Sequence, residues 1–175
     1  NEYRIMYVEA RRVFEVIGQE LRDGMVDYGY MAKGGEFSNT SICLISKDSK
    51  FATQISYDSG GEEVKIIKQK PDQPFKTFAE LTSRASCVPT AFQDEFVLNS
   101  EVNVKNFKIY FSPKLDPYDL KNVEDNDVQF QPKVTLYAQF EKPLANGKTY
   151  TMDLQTTVSS RIYNQVYSLE SKNKQ

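Results

Sequence analysis

Histidine is absent from the 175 residues. Its absence excludes Ser-His-Asp and Cys-His catalysis and any zinc site built from imidazoles. Only two cysteines occur, Cys43 and Cys87, too far apart in sequence for a zinc or redox motif. Two readings stay open for them: a disulfide in an exported protein, or small buried hydrophobes in a reducing compartment. The formal net charge of −2 gives no electrostatic case for nucleic acid, and Lys65, Lys68 and Lys70 read as a solvated strand face. No apolar run approaches the ~20 residues that span a bilayer, so any membrane anchor is expected outside this chain. P-loop, G-x-G-x-x-G and G-x-S-x-G patterns, internal repeats and low-complexity linkers are also missing.

What the chain does have begins with residues 1–28. At the α-helical increment Tyr3, Met6, Tyr7, Ala10, Val13, Phe14, Ile17, Leu21 and Met25 share one arc, with Arg4, Arg11, Glu15 and Arg22 opposite. Glu9 with Arg12, and Arg11 with Glu15, stand at spacings where opposite charges meet along a helix surface. Ile5, Val8 and Val16 form a second, partial apolar strip beside Arg12, which predicts contact with something outside the domain. The pattern is already in phase at Tyr3 without a capping box, as in the lower part of a longer helix.

From Ser41 the hydrophobic period changes to two, so residues 29–165 are expected to form a β domain and 166–175 a frayed tail. Strands are expected at 41–46, 51–57 and 63–69, the last two joined by the glycine-rich turn DSGG at 58–61. Residues 75–81 read as a helical turn with Phe75, Phe78 and Leu81 inward. Residues 96–111 read as one or two strands, with a bulge or break near Lys105 and Asn106. The clearest hairpin pairs 133–140 with 149–158 across Asn146-Gly147. The expectation is therefore a single α+β domain over 1–175, a long amphipathic helix covering one face of antiparallel sheet of about six strands.

Carboxylates are plentiful, but no pair stands in an apolar setting that would split their pKa values, and the chain reads as non-enzymatic. The loop over 112–129 gathers Asp116, Asp119, Glu124, Asp125 and Asp127. These are the weak metal candidates, and they lack the spacing and mid-loop glycine of an EF-hand. The loop reads as solvated, and no metal or cofactor is expected.

Three phrases carry a resemblance: RRVFEVIGQELRDGM at 11–25, VNVKNFKIYFSP at 102–113, and LQTTVSSRIYN at 154–164 after the Asn-Gly hairpin. With the amphipathic helix and the meander, they make the chain resemble type IV pilin-like proteins over nearly its whole length. It looks most like minor pilins and J-type pseudopilins of type II secretion. The family's G-F-T-L-x-E processing segment is not in this chain. The resemblance implies a structural subunit of a pilus or secretion pseudopilus, located in the cell envelope or an extracellular filament. Its partners would be other pilin or pseudopilin subunits, met through Ile5, Val8, Arg12 and Val16, with the membrane reached only through an absent N-terminal segment. It also implies an exported protein, in which Cys43 and Cys87 would close a loop across the first meander. A surface or pilus-tip ligand-binding module remains as the alternative, and a hydrolase using two carboxylates in a cleft as a third class.

Overall fold

The computed structural model describes residues 1–33, 39–48, 50–76, 87, 93–97, 101–117 and 131–160. Helix α1 (Glu2–Asp23) buries Met6, Ala10, Val13, Ile17, Gly18 and Leu21, a stripe recurring at the helical period. Glu2 in the first turn and Arg22 in the last complement the helix dipole. The two surface pairs form, Arg11 Nε to Glu15 Oε1 at 2.8 Å and Arg12 Nη2 to Glu9 Oε2 at 3.1 Å.

The helix ends five residues before the sequence pattern does, for a local reason. Gly24 is extended, and a Cβ there would lie 3.0 Å from the Leu44 Cβ and 3.2 Å from the Glu20 carbonyl oxygen. A side chain here would make its neighbours give by a few tenths of an ångström, so glycine suits a turn this close to the neighbouring strand. Met25 and Val26 then form a short strand β1 (Met25–Val26) against Ile45 and Leu44. Asp27 caps the helical turn α2 (Tyr28–Lys33), its Oδ1 accepting from the Tyr30 N–H at 3.0 Å.

The expected long helix packed on antiparallel sheet or sheets of about six strands is overturned. Among the described residues eight strands divide into two antiparallel sheets, and the fold is mostly sheet. The first sheet runs in spatial order through β1, β2 (Ser41–Ile45), β3 (Ala52–Asp58), β4 (Glu63–Gln69) and β5 (Gln93–Val97). The second is β6 (Asn103–Ser112), β7 (Lys133–Pro143) and β8 (Thr149–Ser159). The apolar run at 96–111 is thus split between the two sheets. The irregularity near Lys105 is a register shift between Val104 and Asn106 opposite Phe140 and Gln139.

Pairing register shows that the first sheet buries apolar side chains on both faces. One face carries Ile42, Leu44, Ile55, Val64 and Ile66 toward the core shared with α1 and the second sheet. Cys43, Ala52 and Ile67 alternate with these in the strands, so they belong to the opposite face, and they too are buried. On that face Cys43 is bonded to the buried Cys87, and Gln69 Nε2 donates to the Gln73 carbonyl at 2.6 Å. Strands covered on both faces read as continuous apolar runs instead of alternating ones. For the same reason the three lysines are not one solvated face. Lys65 and Lys68 lie on opposite faces, Lys65 bonded to Asp58 at 3.0 Å and Lys68 to Glu20 of α1.

The second sheet alternates cleanly. Val134, Leu136, Ala138 and Phe140 are buried, with Thr135, Tyr137 and Gln139 between them half-exposed. The hairpin turn uses Gly147 at φ 75°, a left-handed conformation that glycine adopts without strain. Helix α1 packs on β8 and β7, with Phe14 edge-on to Phe140 at 5.9 Å between ring centres. A corner locks the sheets together: Val104 N–H donates to the Glu62 carbonyl at 2.8 Å, and the Tyr57 hydroxyl to the Val104 carbonyl at 2.7 Å.

Phe75 is buried, and its N–H donates to the Lys50 carbonyl at 2.8 Å. Residues 74–76 are not helical; Phe78 and Leu81 lie outside the described residues. So do the expected end of the β domain at 161–165 and the tail at 166–175.

Candidate interaction surface

A helix in a two-layer packing exposes whatever its neighbours do not reach, and α1 exposes its beginning. Tyr3 is 59% exposed, Val8 53% and Tyr7 44%. Tyr3 and Tyr7, in phase with the buried stripe, do not join it, whereas Met6 and Ala10 in the same turns are fully buried. The first two turns therefore hold an aromatic and aliphatic surface on both sides of a packed seam.

The second apolar strip divides. Val8 is exposed and Arg12 is exposed beside Glu9, but Ile5 is half-buried, and Val16 is half-buried and rests against the core. Val8 and Val16 belong to one strip in the sequence, yet only Val16 is covered in the fold. Near the start of α1 the end of the β7–β8 hairpin adds a polar anchor. Lys142, 14% exposed in its side chain, places Nζ 3.0 Å from Glu2 Oε2 and 3.5 Å from Glu101 Oε2. These two carboxylates, Glu2 first, hold the Lys142 ammonium above its ordinary pKa. Tyr150, 41% exposed, joins Glu2 and Lys142 in lining an open hollow of about 540 Å³.

Another open hollow of about 560 Å³ is lined by Ser46, Lys47, Asp48 and Phe51. Asp48 there accepts from Ser46 Oγ at 2.6 Å and is held below the usual carboxylate range, chiefly by that bond. Asp58 is also lowered, by the Lys65 ammonium first and then by the Gly61 and Gly60 N–H groups of its turn. A carboxyl that donates a proton near neutrality needs its pKa raised, so neither is suited to general acid work. Of the acidic loop, Asp116 is half-buried; Asp119, Glu124, Asp125 and Asp127 lie outside the described residues. Among the described residues, no three His, Cys, Asp or Glu side chains gather where they would hold a metal ion. No helix among them is long and apolar enough to cross a membrane.

Cys43 and Cys87, 0% and 1% exposed, are joined in a disulfide with their Cα atoms 5.9 Å apart. Compared with protein-family models, curated proteins and solved structures, the chain matches none of them.

Proposed function

We propose that this chain is the outward-facing domain of a structural subunit of a type IV pilus or type II secretion pseudopilus, working by packing against other subunits. The supporting observation is the surface of α1. One stripe of the helix is committed to the domain's own core, while Tyr3, Tyr7 and Val8 in its first two turns are left to solvent. Burying an apolar side chain of this size contributes up to about 1.5–3 kcal/mol, so three of them in a helix–helix contact are a substantial association energy. The partners are other pilin or pseudopilin subunits, and the place of work is the cell envelope or an extracellular filament. The function needs no bond chemistry, in keeping with carboxylates whose displaced pKa values are lowered.

The test compares assembly with folding. In the full-length protein, Val8→Glu and Tyr3→Glu should leave the domain's melting temperature unchanged, because both side chains already face water. The same variants should fail to enter the filament. Normal assembly by both would remove α1 from the contact and the reading with it.

A further inference from the structure

Sheet edges offer unpaired backbone donors and acceptors, and folded proteins usually blunt them by short strands, bulges, proline, lysine or covering chain. Among the described residues, three of the four sheet edges carry one of these devices. β1 has two residues. β5 has five. β6 carries a bulge, and two of its outward N–H groups are taken up, Val104 by the Glu62 carbonyl at 2.8 Å and Ile109 by the Asn39 carbonyl at 2.6 Å. β8 has none of them among the described residues. It is an eleven-residue edge strand without proline, lysine, arginine or bulge, and Asp153 is its one charged residue.

The ladder fixes which groups of β8 point outward. Leu144 N–H donates to the Lys148 carbonyl, so the pair 144/148 is hydrogen-bonded, and bonded pairs then recur at every second position. The even-numbered residues of β8 bond to β7. Thr149, Thr151, Asp153, Gln155, Thr157 and Ser159 direct N–H and C=O away from it. The β6 side agrees: Ile109 stands opposite Leu136, which faces β8, and the Ile109 N–H indeed points away from β7. All six outward residues are exposed, and no strand pairs with them among the described residues. Leu154 and Thr156, although on the core-facing side, are still half exposed, so the middle of the edge is open on that side too.

We propose that β8 is a pairing edge that takes the β8 of a second copy of this chain, antiparallel about a two-fold axis through Gln155. This goes beyond the helix-mediated assembly proposed above and does not depend on it. In that register Thr151 stands opposite Ser159 of the other copy, Asp153 opposite Thr157, and Gln155 opposite Gln155. Met152 then meets Val158, and Leu154 meets Thr156, continuing the apolar row of the core face. The two Asp153 carboxylates end roughly 14 Å apart, beyond the screening length at physiological salt. An axis at Asp153 would instead set the two carboxylates directly opposite, which is destabilising. An axis at Thr157 or Thr151 would pair barely half as many residues. The Gln155 axis is the long register free of like-charge opposition, and it forms about ten new ladder hydrogen bonds. The interface is isologous and closes at two copies.

The experiment is sedimentation equilibrium of the chain over a roughly hundredfold dilution, with amide exchange followed residue by residue. The proposal expects a monomer–dimer equilibrium in which the amides of Thr151, Asp153, Gln155, Thr157 and Ser159 gain protection as concentration rises. Gln155→Lys sets two cations opposite each other, and Gln155→Pro removes an outward donor without touching the β7 ladder. Each should abolish the dimer while the melting temperature stays close to the parent. Gln155→Cys should cross-link to itself on mild oxidation, and Asp153→Cys should not, because opposed residues in a bonded pair are about 5.5 Å apart and offset ones are not. This pair keeps the proposal testable if the charge or the proline disturbs the strand. A monomer at every concentration with these amides exchanging freely would overturn it. So would protection independent of dilution, which would mean the chain covers its own edge, and so would a dimer that survives every Gln155 change.

Discussion

Replacing Cys43 and Cys87 together by alanine probes how the first sheet is held. The bond joins residues 44 positions apart, and cross-linking a loop of that length removes about 4 kcal/mol of entropy from the unfolded chain at 25 °C. Both cysteines are buried, so the loss of the bond is not offset by relief at the surface. Against a domain stability of about 5–15 kcal/mol this is a large fraction. With a urea m value of ~2 kcal/mol per molar, the midpoint should fall by about 2 M. Urea unfolding by circular dichroism measures it, and intact mass with alkylation, before and after reduction, establishes that the parent carries no free thiol. The burial of both sulfurs also predicts that reductant acts slowly on folded protein and quickly in urea. A double variant within ~1 kcal/mol of the parent would refute the reasoning, because the bond would then contribute little to the stability of the fold. Two freely alkylated thiols in the non-reduced protein would refute the pairing itself.

The core and the turn give two further expectations. Phe140→Ala should cost about 3–5 kcal/mol in urea unfolding, because the ring is fully buried and meets Phe14 edge-on, whereas Tyr150→Ala should stay within about 0.5 kcal/mol. Asp58 has a folded pKa below its ordinary value, so its contribution is complete above about pH 4 and is lost as pH falls through the lower folded value. Asp58→Asn should therefore be less stable than the parent at neutral pH, and the two melting temperatures should converge in acid.

How much of this was legible in the sequence depends on how many faces each element buries. The β7–β8 hairpin was legible because Val134 to Phe140 alternate over a single buried face, and Asn146-Gly147 marks the turn. The first sheet was located but miscounted. Its middle strands β2, β3 and β4 stand where strands were expected, while Met25 and Val26 read as helix and β5 was run together with β6 in one apolar stretch. Met25 was in phase with the helix, yet the close approach of Leu44 to Gly24 ends it, a tertiary fact with no local signal. Tyr3 and Tyr7 show the same limit, since periodicity gives the direction of a stripe and not how far along it the sheet extends. Val8 and Val16 read alike on the wheel and differ in the fold. The open edge of β8 was invisible to sequence, because an unpaired strand and a paired one carry the same pattern.

The central claim is that the start of α1 is an assembly surface separate from the core. The most direct measurement is recovery of full-length protein in the sheared filament fraction of the cells that make it, for the parent, Val8→Glu, Tyr3→Glu and Ile17→Ala, alongside melting of each soluble domain. The account predicts that Val8→Glu and Tyr3→Glu melt like the parent and are missing from the filament. Ile17→Ala, which opens a fully buried site, should lose about 2–5 kcal/mol of stability. Glutamate variants that fold and still enter the filament at parental levels would contradict the claim, as would glutamate variants that unfold the domain.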